Sequence, residues 1–178
     1  METIYLAGGC FWCTEAVFRS LKGVFLVVPG YTGGHVKNPK YSEVCSGETG
    51  HAEVVKIEYD TNILSTEDLL DVFFETHDPT SLDKQGADRG NQYRSAIFYT
   101  KHEQKDIADK KIAELNEKFI KDGKKVLTEV SLVDDFYSAE DYHHNYYENN
   151  KDKMYCNLVI NPKLNKLKEK FGHFLAKE

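Results

Sequence analysis

The spacing of apolar residues up to Thr100 predicts alternating strands and helices. Apolar runs, or regular alternation of apolar and polar residues, indicate strands at Ile4 to Ala7, Val24 to Val28, Ala52 to Tyr59 and Tyr93 to Thr100. Apolar residues at helical intervals indicate helices at Phe11 to Leu21 and after a cap at Ser65 or Thr66. The order strand, helix, strand, strand, helix, strand is that of a split β-α-β unit. We therefore expect an α+β sandwich of the ferredoxin-like class.

Beyond Thr100 the pattern predicts an additional C-terminal strand and further helices. The predicted elements are a helix at His102 to Lys121, a strand at Thr128 to Val133, a short helix capped by Ser138 and running through Tyr147, and a last helix opened by Pro162. No internal repeat, low-complexity tract or interdomain linker separates these segments. Residues 1–178 are therefore predicted to form one domain, because a chain of this length can bury its own core.

Two polar, glycine-containing segments interrupt the predicted elements, at Thr32 to Gly50 and at His77 to Gln92. Ordered loops of this length in a compact domain usually carry function. We therefore expect these two loops to carry residues of the functional site.

Composition and charge exclude several classes of function. The chain carries 23 Lys and Arg residues against 29 Asp and Glu residues, which gives no general affinity for nucleic acid or acidic membranes. No apolar run approaches the roughly 20 residues that span a bilayer, and Met1 to Gly9 lacks the features of a signal peptide. Neither the dinucleotide fingerprint nor the Walker pattern is present. We expect a monomeric cytoplasmic protein that uses no cofactor.

The four cysteines are too few for a disulfide framework in a chain of this size. Cys10 follows two glycines at the predicted start of a helix, where backbone N–H groups and the helix dipole favour the reactive thiolate. The alternative is that Cys10 is a small buried hydrophobic residue. Cys13 completes a Cys-x-x-Cys pair, which can exchange disulfides or supply half of a zinc site.

Glu53 is a candidate general acid. Alternation along the strand Ala52 to Tyr59 places Glu53 on the same face as Val55 and Ile57, which is the apolar face. Burial disfavours a charged carboxylate, so Glu53 could keep its proton near neutral pH and donate it. The alternatives are an exposed position at the strand end, or a structural ion pair with Arg19 or Arg94.

Tyrosines in the two long loops could offer hydroxyl donors beside an apolar pocket. Tyr41 lies in the first loop and Tyr93 follows the second, close to Asp88, which alone would be taken for a turn residue. His143 and His144 lie in the predicted short helix, but no metal-binding spacing surrounds them. We therefore expect these histidines to be solvated or packed, and we expect no metal site.

Several separated motifs together resemble one known family. The matching segments are Gly8 to Trp12 (Gly-Gly-Cys-Phe-Trp), Tyr41, Gly47 to Glu53 (Gly-Glu-Thr-Gly-His-Ala-Glu), Asp88 to Ser95, and Ala139 to His143 (Ala-Glu-Asp-Tyr-His). In this order they closely resemble the peptide methionine sulfoxide reductases of type A, and the resemblance covers nearly the whole chain. It implies a ferredoxin-like core and the reduction of the S epimer of methionine sulfoxide.

The resemblance also implies roles for individual residues. By the family pattern, Cys10 attacks the sulfoxide sulfur and Glu53 protonates the departing oxygen. The tyrosines that match Tyr41 and Tyr93 hold that oxygen, and Asp88 supports the site. The aromatic residues that match Phe11 and Trp12 enclose the substrate methyl group.

A second thiol must then condense with the sulfenic acid that is left on Cys10. The resemblance places Cys156 in a region where many members carry a resolving cysteine, and the rigid first turn of the predicted helix limits how Cys13 could reach Cys10. We therefore favour Cys156 for this role, with Cys13 as the alternative and Cys45 as a bystander. The resemblance implies thioredoxin as the reductant that reopens the disulfide. Two other functions remain open from the residues alone: a Cys-x-x-Cys protein-disulfide oxidoreductase, and a zinc-stabilised binding module.

Overall fold

The computed structural model describes residues 1–177. The strands in this range are β1 (Glu2–Gly8), β2 (Val24–Thr32), β3 (Ala52–Tyr59), β4 (Lys84–Gln85), β5 (Asp88–Arg89), β6 (Ser95–Tyr99), β7 (Glu129–Leu132) and β8 (Tyr137–Ser138). Six of them form one sheet in the order β7-β6-β1-β3-β2-β8, and β4 and β5 pair separately. The β6 and β7 strands are parallel, whereas the other pairs in the sheet are antiparallel.

The helices of the described range lie mostly between these strands. They are α1 (Phe11–Arg19), α2 (Tyr41–Cys45), α3 (Thr66–Glu75), α4 (His102–Phe119), α5 (Tyr146–Asn149) and α6 (Asn161–Phe171). Short 3-10 turns occur at Asn91–Tyr93, Ile120–Asp122, Asp141–His143 and Gly172–Phe174, and a π-helical turn at Cys156–Ile160 leads into α6. No helix in residues 1–177 is both long enough and apolar enough to cross a membrane.

The predicted ferredoxin-like order is confirmed. The β1 strand lies between β6 and β3, and β2 lies beyond β3, so the two β-α-β units interleave. Side chains alternate along β3, so that Val55 and Ile57 face the core formed with α1, α3, α4 and α6. Ala52 and Val54 face the other way, where Phe136 and its neighbours cover the opposite side of the sheet.

The predicted helix from Ser138 through Tyr147 is wrong. Ser138 ends β8 and pairs with Gly30 of β2, and the next backbone N–H, that of Ala139, donates to the carbonyl of Pro29 at 2.9 Å. These long-range bonds use backbone groups that a helix would need for itself. The helical part is limited to the 3-10 turn Asp141–His143 and to α5, which begins at Tyr146.

Both long polar loops contain short regular elements of their own. The first loop, Thr32 to Gly50, includes α2, and the second, His77 to Gln92, includes the hairpin of β4 and β5. Tyr93, predicted to begin a strand, instead ends a 3-10 turn, and β6 starts at Ser95. Gln85 of the hairpin packs against Gly9, directly after the end of β1.

Truncation of a core leucine should measure how strongly the helices are held on the sheet. Leu70 of α3 is fully buried in the main core, so Leu70→Ala should lower the free energy of unfolding by about 2 to 5 kcal/mol. The matched control is Leu82→Ala, which removes the same atoms from a side chain that is 69% exposed and should change stability by less than about 0.5 kcal/mol. Urea denaturation followed by circular dichroism gives both values, and equal losses would contradict the described core.

Candidate active site

Cys10 lies at the junction where β1 turns into α1. Its backbone carbonyl accepts hydrogen bonds from the N–H groups of Cys13 at 3.1 Å and Thr14 at 3.3 Å, whereas its side chain makes no capping bond. The sulfur is therefore not engaged by the helix backbone, although it lies at the positive end of the helix dipole. Only 9% of the residue is exposed.

A tight turn presents Cys10, and the second polar loop packs directly against this turn. Gly9 has a φ angle of 97°, a left-handed conformation that suits glycine. A Cβ atom on Gly9 would lie 2.8 Å from Cβ of Gln85, which leaves no room for a larger residue. The side chain of Gln85 is itself held by the backbone of Asp78, which donates to Oε1 at 3.0 Å and accepts from Nε2 at 2.5 Å.

The carboxyl group of Glu53 is buried beside the first turn of α1. The residue is 1% exposed, and Oε1 accepts a hydrogen bond from the backbone N–H of Phe11 at 3.2 Å. Desolvation raises the pKa of Glu53 to about 8 against the opposing effect of this bond, and Asp88 and Cys13 add to the rise. The second oxygen, Oε2, is buried without a partner among the described residues. Glu53 can therefore carry a proton at neutral pH and present it beside Cys10.

The structure does not support the two alternative interpretations of Glu53. The residue is not at an exposed strand end, and neither candidate arginine pairs with it. Nε of Arg94 lies 3.3 Å from Oε2 of Glu129, and Nη1 of Arg19 lies 3.7 Å from Oε1 of Glu15. The buried carboxyl thus lacks the cation that would keep it ionised.

Tyr41 and Tyr93 come from the two polar loops, and the electrostatic influence of Glu53 reaches both. Tyr41 is the first residue of α2, and Tyr93 ends the 3-10 turn before β6. Burial is the main cause that raises the pKa of each hydroxyl, and the charge of Glu53 raises both further. Both hydroxyls therefore stay protonated at neutral pH and are able to donate hydrogen bonds.

Phe11 and Trp12 are fixed by a histidine whose role the sequence did not reveal. Nε1–H of Trp12 donates to Nδ1 of His143 at 2.9 Å, and the Phe11 ring lies 4.9 Å from the same imidazole, centroid to centroid. His143 is fully buried and burial lowers its pKa, so the ring is neutral with its proton on Nε2. The expectation of a packed histidine is correct for His143. The ring of Trp12 also stacks on Tyr146, with centroids 3.7 Å apart.

Tyr155 connects two of the predicted site residues, although no role for it was predicted from the sequence. Its hydroxyl donates to Oδ2 of Asp88 at 2.8 Å and lies 3.5 Å from Sγ of Cys13. Its ring meets Trp12 edge-on, with centroids 5.6 Å apart. The available signal was its position directly before Cys156, which is weak among eleven tyrosines.

Three cysteines lie in one buried cluster. Cys10, Cys13 and Cys156 pack together, and Cys156 is fully buried at the start of the π-helical turn. Hydrogen bonding to Cys10 lowers the pKa of Cys13 to about 7, whereas burial is the main cause that raises the pKa of Cys10. The hydrogen-bonded pair can therefore carry one negative charge near neutral pH. Cys45 is exposed and lies outside the cluster.

A cleft of about 520 Å³ reaches the sulfurs of this pair from outside. It is bounded on one side by the second polar loop, including Asp88, and on the other by Tyr155 and Lys163. Within residues 1–177, no three His, Cys, Asp or Glu side chains are arranged to hold a metal ion. The zinc-module hypothesis therefore has no ligand set in this part of the chain.

Comparison with known proteins agrees with the motifs and with the fold. The family model of peptide methionine sulfoxide reductase matches residues 2–175. The peptide methionine sulfoxide reductase MsrA of Saccharolobus solfataricus is 53% identical over 171 residues, which cover 96% of this chain and 95% of the relative.

Solved structures of yeast Mxr1 share the architecture. The reduced form of Mxr1 from Saccharomyces cerevisiae has a TM-score of 0.78 and 34% identity, and the match covers 87% of this chain and 88% of Mxr1. Mxr1 in complex with Trx2 has a TM-score of 0.52 at 24% identity over 82% of this chain and 84% of Mxr1, which supports the fold alone. The match over nearly the full length shows that the chain belongs to the peptide methionine sulfoxide reductase family of oxidoreductases.

Proposed function

We propose that this chain reduces the S epimer of methionine sulfoxide, peptide-bound and free, with Cys10 as nucleophile and Glu53 as acid. One observation carries the proposal. The carboxyl group of Glu53 accepts a hydrogen bond from the N–H of Phe11, the residue next to Cys10, through one oxygen, while its other oxygen has no partner among the described residues. A sulfoxide sulfur is a poor electrophile until its oxygen is protonated. An acid and a thiol held at the same helix start meet this requirement.

The first step needs a thiolate on Cys10. The hydrogen-bonded thiol pair can carry one charge, and Cys13 can take the proton of Cys10 when substrate enters, which places the charge on the attacking sulfur. Cys10 then attacks the sulfoxide sulfur, and Glu53 gives its proton to the oxygen. Methionine leaves, and the oxygen remains on Cys10 as sulfenic acid.

The surrounding residues would position the substrate. The hydroxyls of Tyr41 and Tyr93 are proposed to donate hydrogen bonds to the sulfoxide oxygen beside Glu53, and Asp88 to support this arrangement. Phe11 and Trp12 are proposed to enclose the methyl group. The bond from Trp12 to His143 supports this role, because it fixes the plane of the indole ring.

The sulfenic acid on Cys10 would be resolved by Cys156 or Cys13, the two thiols that share its buried cluster. We propose thioredoxin as the reductant that reopens the resulting disulfide; Mxr1, a structural neighbour, has been solved in complex with Trx2. We further propose that residues 1–178 act as a single domain, as a monomer in the cytoplasm. A reducing compartment fits the four cysteines, which are all free thiols.

Removal of either reacting group should abolish or slow the first step. Cys10→Ser should form no methionine from the S-sulfoxide with dithiothreitol as reductant, because it lacks the attacking sulfur. Glu53→Gln should still bind substrate but react about 10²- to 10⁴-fold more slowly, the usual size of acid catalysis. Stopped assays that quantify methionine by chromatography measure both rates.

The control for Glu53→Gln is Glu58→Gln, the same change on the same strand. Glu58 pairs with Lys56 on the surface at 2.6 Å, so its substitution should leave the rate within twofold. A wild-type rate in Glu53→Gln would remove Glu53 from the acid role, and continued turnover in Cys10→Ser would refute the nucleophile.

The rate of methionine formation in a single turnover should depend on pH in a bell-shaped way. It should rise through about pH 7, where the thiol pair gains its charge, and fall above about pH 8, where Glu53 loses the proton that it must donate. Rapid-quench measurements between pH 5 and pH 10 give the profile. The alkaline fall should disappear in Glu53→Gln while the acid limb stays, and a fall that persists in this variant would assign it to another group.

A further inference from the structure

The pair of contacts at the Tyr155 hydroxyl forms a path for a proton. This hydroxyl donates its hydrogen to Asp88, so its oxygen lone pairs face the Cys13 thiol at 3.5 Å. A thiol proton on Cys13 can therefore pass to the tyrosine oxygen while the tyrosine proton passes to the carboxylate. Cys13 is only 2% exposed, so a small part of the residue meets the cleft and the hydroxyl of Tyr155 offers a second route for its proton.

Asp88 provides the exit of this path. It is partly exposed and lines the 520 Å³ cleft together with Tyr155, so a proton that it receives can leave to solvent. The hydroxyl of Tyr155 can then rotate and donate to the sulfur that has become charged. Burial raises the pKa of Tyr155 far above its usual range, so the hydroxyl itself remains protonated before and after the transfer.

We propose that Tyr155 is a positioning residue that passes the proton of Cys13 to Asp88, and that Cys13 consequently resolves the sulfenic acid on Cys10. The proposal deepens the proposed function and rests on it. It selects one of the two candidate resolving thiols, although the sequence favours Cys156. No comparable path is described at Cys156, whose pKa is raised, chiefly by burial.

The chemistry balances without an added oxidant. Cys13 attacks the sulfur of the Cys10 sulfenic acid, a bond forms between the two sulfurs, and the bond between sulfur and oxygen breaks. The oxygen leaves as hydroxide and takes up one proton to become water. Cys13 has released one proton through Tyr155 to Asp88, so protons balance over the step. The products are one disulfide and one water, and the sulfoxide has already supplied the oxidising equivalent.

The position of Cys13 in the first turn of α1 does not separate it from Cys10. Both residues lie at one helix start, and each thiol shifts the pKa of the other through a hydrogen bond. From the sequence, the rigid first turn of α1 was expected to limit the reach of Cys13 and so to favour Cys156. The pairing of the two thiols weakens this reason, because the sulfurs are already neighbours before oxidation.

Several other groups influence the charge on Cys13. They are Cys10 before α1, Glu53 of β3, Asp88 of β5, Tyr155 and Cys156 in the C-terminal segment, and Lys163 of α6. The titratable His77, which follows α3, lines a small cavity together with Cys13. Lys163 favours the thiolate and Asp88 opposes it, whereas Tyr155 lowers the pKa of Cys13 by hydrogen bonding. The test must therefore remove the Tyr155 hydroxyl and leave these charges in place.

The experiment is a single turnover without reductant, comparing the wild type with Tyr155→Phe. Once the sulfenic acid has formed, Tyr155→Phe should form the Cys10–Cys13 disulfide about tenfold more slowly than the wild type at pH 6, as expected for a pKa of Cys13 raised by roughly one unit. Methionine formation, which uses the charge of the same thiol pair, should slow at pH 6 by no more than this factor and should match the wild type within twofold above pH 9. The difference should shrink above pH 9. Peptide mapping identifies the disulfide, and dimedone trapping measures the lifetime of the sulfenic acid.

Tyr147→Phe is the matched control, because it removes a hydroxyl from the same cluster that bonds to Asn161 at 2.7 Å rather than to a thiol. It should change neither rate by more than twofold. An unchanged rate of disulfide formation in Tyr155→Phe, or a first disulfide between Cys10 and Cys156 in the wild type, would overturn the proposal.

Two further measurements keep the test independent of folding and of the proposed function. Asp88→Asn retains an acceptor for the Tyr155 hydroxyl but cannot take the proton, so it should also delay the disulfide. In the Cys10→Ser background, the pH midpoint for alkylation of Cys13 should rise by about one unit when Tyr155→Phe is added. An unchanged midpoint refutes the relay, whereas failure of the wild type to form methionine refutes the proposed function alone.

Discussion

The hydrogen bond from the Phe11 N–H to Glu53 joins the two parts of the molecule on which the site depends. It links the first turn of α1 to the start of β3, strands β1 and β3 being adjacent in the sheet. The bond alone would stabilise a carboxylate, but burial dominates and raises the pKa to about 8. The acid is thus held in place without being ionised, and this condition lasts only while water is kept away from its second oxygen.

The C-terminal part of the chain, from Ser138 to α6, contains only short regular elements and packs against the aromatic side of the site. This part supplies His143, Tyr146 and Tyr155, all packed around Trp12. A hydrogen bond also joins this part to α1 away from the reacting sulfur: the carboxylate of Glu15 accepts it from the backbone N–H of Asn145 at 2.9 Å. The position of Trp12, a proposed substrate-binding residue, therefore depends in part on a contact made away from the reacting sulfur.

Much of the fold follows from local sequence patterns, and so do two of the proposed site residues. Period-two alternation identified β3 and placed Glu53 on its apolar face, and the glycines before Cys10 identified the helix start. The roles of His143 and Tyr155 could not be predicted, because each depends on a hydrogen-bond partner distant in sequence. The helix expected after Ser138 failed for the same reason, since the pairing of this residue with β2 is long-range.

The short strands at both margins of the sheet bear on how this protein behaves at high concentration. The order of the sheet places β7, with four residues, at one margin and β8, with two, at the other. The unpaired backbone N–H and C=O groups of a long edge strand can pair with a strand from another chain, whereas a short edge strand offers few such groups. An enzyme that repairs oxidised methionine works among partly damaged proteins that expose such strands. Its own sheet provides little template for joining their aggregates.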